Sequence, residues 1–116
     1  MTAAPSSIVP IAWAGDATVK SGYLAMKSRS FLLYAGWNPF IFVLRGDKIM
    51  SYFSPDNRAV AKGSFSVKNA LIRSISVQGR QHTFEVYTEN RESILLEAND
   101  ALELGSWVDT LTALAR

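Results

Sequence analysis

The sequence DALELGSWVDTLTALAR, residues 100–116, reads as one amphipathic helix. Its large apolar residues recur three or four positions apart and so share one face: Leu104, Trp107, Val108, Leu111 and Leu114. Asp100 can cap the first turn, with Glu103 three positions later, as in a capping box. A lone helix must bury its apolar face against other elements. We therefore expect it to cover one end of a sheet or barrel, with Trp107 as the largest buried group.

The chain before this helix alternates between short β-rich runs and turn residues. Seven strands are predicted, at residues 19–27, 40–45, 48–53, 63–67, 71–77, 82–88 and 93–98. Gly46-Asp47, between two apolar runs, predicts a tight two-residue hairpin. Strands at this spacing, followed by one helix, predict a mainly β fold with one C-terminal helix, in which the helix caps a barrel.

The composition bounds the class of protein. The 116 residues suit one domain, and the absence of cysteine excludes a disulfide framework, a thiolate metal site and a thiol nucleophile. A net charge of +2 falls short of the dense basic footprint of a nucleic-acid binder, so no nucleic-acid partner is expected. No apolar run reaches membrane-spanning length, and the first residues lack signal-peptide features. A cytoplasmic protein that can attach peripherally to a membrane is predicted.

Residues 1–18 differ from the remainder in being rich in Ala, Ser and Pro without periodicity. We interpret them as an irregular N-terminal arm preceding a domain at residues 19–116. Two alternatives stay open: Ile8, Ile11 and Trp13 pack onto the domain, or the arm is a partly ordered tail.

Several short motifs, taken in order, resemble those of the pleckstrin-homology (PH) family. Lys20-Ser21-Gly22-Tyr23-Leu24 resembles the family's opening Lys-x-Gly-x-Leu strand, and Trp107 resembles its signature tryptophan. Between them lie further matches: Trp37, Phe42-Val43-Leu44, Tyr52-Phe53, Gly63 and Phe84. The resemblance implies a barrel of seven antiparallel strands in two near-orthogonal sheets, capped by the helix. The activity it implies is non-enzymatic binding, most often of phosphoinositides.

The sequence departs from this family at the usual headgroup pocket. Family members that bind headgroups carry a basic residue two positions after the first-strand Leu and a Lys-x-Arg pair in the second strand. The matching positions here are Met26, Asn38 and Phe40. By strand parity Met26 and Phe40 continue the core, so tight, stereospecific binding in that pocket is not expected.

Basic residues elsewhere suggest a second lipid-binding surface. Lys27 and Arg29 have the opposite parity to Met26 and lie on the outer flank of the first loop, residues 28–36. Some PH domains bind lipid there, against the loop between strands five and six, which here holds Arg80. The other loops at the open end carry charges of both signs, so the alternative to lipid binding is a solvated rim of mixed charge. Its members are Arg58, Lys62 and Arg91 with Asp56, Glu89 and Glu92.

The first loop also carries four consecutive large apolar residues, Phe31, Leu32, Leu33 and Tyr34. If the strands extend into the loop, Phe31 and Leu33 belong to the core. If they do not, the four residues form an exposed patch for a bilayer or a protein partner. Lys27 and Arg29 beside this patch suit an anionic membrane surface.

The function predicted is a targeting module that binds anionic phospholipid membranes weakly and with low specificity. Lys27, Arg29 and Arg80 would contact lipid, and Phe31–Tyr34 would insert. The alternative is a protein-interaction or self-association module that uses the same apolar loop, the arm or a sheet edge, and the oligomeric state stays open. No catalytic residue, metal site or cofactor is predicted, because His82 is the sole histidine and the carboxylates are scattered.

Overall fold

The computed structural model describes residues 17–28 and 36–116. Seven strands and one helix are formed by these residues: β1 (Thr18–Lys27), β2 (Trp37–Arg45), β3 (Ile49–Phe53), β4 (Gly63–Ser66), β5 (Leu71–Val77), β6 (Arg80–Tyr87), β7 (Ser93–Glu97) and α1 (Ala101–Ala115). The predicted mainly β fold with one C-terminal helix is confirmed.

The strands form one curled antiparallel sheet in the order β4-β3-β2-β1-β7-β6-β5. Its two halves meet at β1, which pairs with β7 through only two residue pairs, Ala25 with Glu97 and Met26 with Leu96. The edge strands β4 and β5 are consecutive in the chain and joined by a short connection, so the sheet has to curl on itself. The two predicted sheets are therefore continuous through this short ladder.

The connection between β2 and β3 differs from the predicted two-residue hairpin. It contains Gly46, Asp47 and Lys48, and the left-handed residue is Lys48, with φ 69°. The Lys48 amide donates to the Arg45 carbonyl at 3.0 Å, and the Asp47 carboxylate accepts from the Ile49 amide at 3.2 Å. The prediction was wrong because a three-residue turn can place a non-glycine residue in the left-handed region, which the Gly46-Asp47 pair does not signal.

Strand β2 begins at Trp37, three residues before the predicted start at residue 40. The additional residues include Pro39, which cannot donate a hydrogen bond to a ladder. The β2–β3 pairing begins only at Ile41, opposite Phe53, so Pro39 lies where β2 pairs with β1 alone. An edge position of this kind accommodates proline.

Helix α1 packs its apolar face on the inner face of the sheet. Trp107 and Leu111 are completely buried in a core that includes Leu24, Phe42 and Phe84, which confirms the predicted burial of the tryptophan. Asp100 caps the helix by accepting from the Glu103 amide at 2.8 Å. The Glu103 carboxylate pairs with Lys20 of β1 at 3.4 Å and so ties the first turn to the sheet.

Candidate functional site at the open end of the barrel

The open end of the barrel is the end away from α1, where the connections β1–β2, β3–β4 and β6–β7 lie. Its interior is lined by apolar and aromatic side chains. Met26 is 7% exposed, and Phe40 is half-buried against the core. The Phe40 ring meets Tyr52 at 5.2 Å between centroids, and Tyr52 meets Phe42 at 5.4 Å. These rings cover the inner face of β2 and β3 at the open end.

Gly63 at the start of β4 allows Tyr52 to take this position. A Cβ atom at Gly63 would lie 2.6 Å from Tyr52 Cζ, closer than carbon atoms approach in proteins. Gly63 pairs directly with Tyr52 in the β3–β4 ladder, so the ring lies across the glycine. The motif glycine is therefore required by a close approach of an aromatic ring.

On the outer side of the sheet, four side chains form a compact group that we call the outer flank: Lys27, Trp37, Arg80 and Glu97. Lys27 and Trp37 are paired across β1 and β2 and so face the same side. The Arg80 guanidinium lies over the Trp37 ring, 4.8 Å from its centroid, within the range of a cation–π contact.

Arg80 is also held by a carboxylate. Arg80 Nη1 donates to Glu97 at 2.7 Å, and the same carboxylate accepts from the Gln81 amide at 3.1 Å. Arg80 is nevertheless exposed, so its guanidinium is both oriented and accessible. The ion pair offsets part of the Arg80 charge, and Lys27 lines a surface depression together with Glu92.

A model of one domain family matches most of the chain: the PH domain model covers residues 18–116. The chain belongs to the PH domain family. This PH domain is 25% identical over 99 residues to human DCC-interacting protein 13-beta, an alignment that covers 84% of this chain and 14% of that protein.

Solved structures agree on the fold of this PH domain. The C-terminal PH domain of pleckstrin, in complex with D-myo-Ins(1,2,3,5,6)P5, superposes with a TM-score of 0.77 at 20% identity, covering 86% of this chain and 97% of that one. The PH domain of human oxysterol binding protein-related protein 11 superposes with a TM-score of 0.70 at 27% identity, covering 83% and 78%. PH domains are in general binding modules rather than enzymes.

The fold brings together two of the residues predicted to bind lipid. Lys27 and Arg80 come from β1 and β6 and meet around Trp37 on the outer flank. The other predicted contacts lie outside the described residues, so the choice between core and exposed patch stays open for them: Arg29, Phe31, Leu32, Leu33 and Tyr34.

Sequence reasoning missed three features of this end of the PH domain. Trp37 was read as a family marker rather than as a platform for Arg80, and Glu97 was not connected with Arg80 at all. Val60, 68% exposed, stands between the exposed Arg58 and Lys62 in the β3–β4 connection. The Arg58-x-Val60-x-Lys62 spacing was the available signal for this apolar tip with flanking basic residues.

Two classes of feature are not found in the part of the PH domain that the structure describes. Within residues 17–28 and 36–116, no helix has the length and apolar content needed to cross a bilayer. Among the same residues, no three His, Cys, Asp or Glu side chains are grouped as metal ligands would be. His82 instead adopts φ 58° at the irregular start of β6, where its carbonyl accepts from the Ala98 amide at 3.0 Å.

Proposed function

We propose that this PH domain is a non-enzymatic targeting module with weak, low-specificity affinity for anionic phospholipid surfaces. Contact would be made by the first inter-strand loop, residues 28–36, and by the outer flank beside it. The observation that carries the proposal is the contrast, at the same end of the barrel, between an apolar interior and an outer side where Lys27 and Arg80 flank the Trp37 ring. A cytoplasmic location with peripheral membrane attachment follows from this function.

The interior of the open end is poorly suited to a phosphorylated headgroup. A multiply charged phosphate needs several convergent cations or N–H donors in place of its lost hydration. Met26, Phe40 and Tyr52 supply neither a positive charge nor a cluster of donors there. Burial of phosphate among these groups would carry a large desolvation cost.

The outer flank has features of a weak membrane contact. Lys27 and Arg80 are positive, and Trp37 is an amphipathic ring of the kind enriched at membrane interfaces. The pairing of Arg80 with Glu97 limits the local field, which supports weak rather than tight binding. Arg58, Val60 and Lys62 on the β3–β4 connection would add a second basic and apolar contact.

The proposal extends to the apolar run of the first loop. Phe31, Leu32, Leu33 and Tyr34 would enter the interfacial region, while Arg29 would join Lys27 and Arg80 at the lipid phosphates. Each basic residue near an anionic surface contributes about 1 kcal/mol, and the apolar side chains add their transfer free energy.

Vesicle co-sedimentation at low salt tests this function. We expect binding to vesicles that contain phosphatidylserine and little binding to phosphatidylcholine alone. Lys27→Glu should lower the partition coefficient by about fivefold or more, since about 1 kcal/mol corresponds to that factor. The loss should shrink at high salt because of screening. Leu32→Asp and Leu33→Asp should also weaken binding with little loss of stability, because a charge is poorly tolerated among acyl chains.

Lys68→Glu is the matched control, because Lys68 is exposed in the β4–β5 connection at the helix end of the barrel. It makes the same change in net charge and should leave vesicle binding close to wild type. If Lys68→Glu and Lys27→Glu weaken binding equally, only net charge matters and the outer flank is not the contact. Unchanged binding by Lys27→Glu would refute the proposal.

A protein-interaction or self-association module is the second candidate. It is supported by an exposed apolar pair at the β5 edge of the sheet, Leu71 at 63% and Tyr87 at 37%, which are partners across β5 and β6. A dimeric mass in sedimentation, lost on Leu71→Asp, together with no vesicle binding, would favour this candidate over the first.

A further inference from the structure

Strand β5 forms a free edge of the curled sheet. It pairs with β6 on one side, and no described residue pairs with it on the other. The strand at the opposite edge, β4, has only four residues, whereas β5 has seven. A very short edge strand is protected against pairing with another chain, and β5 lacks this protection. The sheet therefore presents a row of unpaired backbone N–H and C=O groups along β5.

The regular part of this edge covers residues 71–75. A register shift in the β5–β6 ladder separates Ile75 from Val77, so the edge is irregular beyond that point. Residues 71–75 contain no proline, and their one charged member is Arg73. A regular and mostly uncharged edge of this length can pair with a short extended segment through backbone hydrogen bonds.

A groove lies beside this edge, between β5 and the last turns of α1. Ala70 and Ile72 line it on the sheet side, and Thr112 and Ala115 line it on the helix side. Ile72 is paired with the fully buried Val86, so it lies on the inner face of the sheet. A strand added to β5 would direct every second side chain towards this groove. The lining is largely apolar and therefore favours an apolar side chain there.

The outer face of the same edge presents an apolar group and a cation. Leu71 is 63% exposed, and Arg73 follows on the same face with a side chain that is 67% exposed. Arg73 donates to Glu85 through Nε, and its other guanidinium N–H groups have no partner among the described residues. Asp109 is exposed on α1, one turn before Thr112, so an acidic residue is favoured beside Arg73 rather than in the groove.

These features select an extended peptide as the occupant. A row of unpaired backbone groups is complementary to another extended backbone, and the groove gives specificity for its alternate side chains. A second copy of this chain is less complementary at this edge. Its own β5 contains no acidic residue and would place a second Arg73 in the same interface, where like charges repel.

We propose that β5 and the groove beside it bind an extended segment of a partner protein by strand addition. At successive positions, the segment carries an apolar residue beside Leu71, an apolar residue in the groove and an acidic residue beside Arg73. Arg80 of the outer flank is paired with Val77, about 20 Å from Leu71 along β5. The peptide site is therefore separate from the proposed lipid contact and independent of it.

NMR titration of the full chain with a capped peptide, Thr-Glu-Val-Leu-Val-Glu-Thr, tests the site. The peptide reads the same in both directions, so it presents leucine, valine and glutamate in the required order whichever way it runs. We expect saturable shifts in the amides of residues 71–75 and 112–116, with a dissociation constant below about 1 mM. Nuclear Overhauser contacts should join the peptide backbone to β5. Absence of saturable shifts, or shifts at other residues only, would overturn the proposal.

A second peptide tests the role of charge. Lysine in place of both glutamates should weaken binding about tenfold at low salt, because a cation then lies beside Arg73. Equal affinities of the acidic and the basic peptide would overturn the assignment of an acidic segment.

Variants of the helix test the groove. Thr112→Trp should weaken binding of the acidic peptide about tenfold or more, because the larger side chain occupies the groove. Ala113→Trp is the matched control, at the next position of α1, which is exposed and does not line the groove. Equal effects of the two variants would contradict the proposed site.

Other occupants of the edge are distinguished in the chain without peptide. A dimer in sedimentation that is lost in Leu71→Asp would overturn the proposal in favour of a second copy. Nuclear Overhauser contacts of Leu71 with another segment of the same chain would overturn it too, because the edge would then already be covered.

Discussion

Trp107 shows how one side chain couples the helix to the sheet. It is completely buried, and an added Cβ at Gly22 of β1 would lie 3.7 Å from its ring, so β1 and the indole are in close contact. Lys20 lies over the ring at 5.0 Å while it pairs with Glu103. The indole Nε1 is buried with no hydrogen-bond partner among the described residues. The ring therefore stabilises the fold through volume and contact rather than through its N–H.

This distinction predicts different costs for two substitutions at the same position. Trp107→Ala should lower the free energy of unfolding by about 3–5 kcal/mol, as deletions of large core aromatics do. Trp107→Phe should cost less, because it keeps most of the apolar area and removes a donor without a partner. Urea unfolding followed by far-UV circular dichroism measures both. Equal losses in the two variants would show that the indole N–H has a role the contacts do not reveal.

At the scale of elements, a polar clasp joins β5, β6 and β7 on their outer face. Glu85 of β6 is 8% exposed, accepts from Arg73 Nε of β5 at 2.7 Å and accepts from the Ser93 hydroxyl of β7. The bond from Ser93, followed by the bond and charge of Arg73, lowers the pKa of Glu85 below its usual value of 4.5, although burial opposes this shift. The clasp fixes the register of three strands in the half of the sheet that lacks β1.

The lowered pKa sets the sign of a pH dependence. The carboxylate is favoured in the folded state, so Glu85 contributes stability above about pH 4.5 that is lost as pH falls through its folded pKa. Glu85→Gln should lower the free energy of unfolding at pH 7 by about 1–3 kcal/mol. It should also reduce the further loss of stability as the pH falls below 4.5, because the titrating carboxylate is gone. Urea midpoints across pH 2–7 test this. Glu89→Gln removes one carboxylate at an exposed position outside the clasp and is the matched control.

At the scale of the whole molecule, the curl of the sheet determines which surfaces face the open end. It closes aromatic rings over the inner side and brings Arg80 of β6 next to Trp37 of β2 on the outer side. At the open end, the inner side of the sheet is therefore apolar, whereas the outer side carries charged groups. A flat sheet in the same strand order would keep β2 and β6 apart, with β1 and β7 between them.

Soluble headgroups should therefore bind weakly. We expect inositol hexakisphosphate to bind with a dissociation constant in the millimolar range, which corresponds to a binding free energy of about −4 kcal/mol. A free anion gains little from the apolar interior of the open end or from the partly neutralised outer flank. Isothermal titration calorimetry measures this. Submicromolar, stereospecific binding would contradict the interpretation that apolar side chains fill the interior of the open end, whatever the result with vesicles.

Local pattern was sufficient for most of the architecture. The helical spacing around Trp107, the alternation that buries Leu24 and Met26, and the Asp100 cap depend on neighbours along the chain, so they could be predicted. The start of β2 could not, because Pro39 is tolerated only where β3 has already ended. Nor could the left-handed Lys48, since the three-residue turn is selected by the twist of β2 and β3 together.

The site depended on contacts between residues far apart in sequence. Lys27 and Arg80 were predicted from family resemblance, but their meeting around Trp37, and the restraint of Arg80 by Glu97, arise from the curvature of the assembled sheet. Periodicity specifies which face a side chain occupies, whereas the packing of distant segments decides what that face meets.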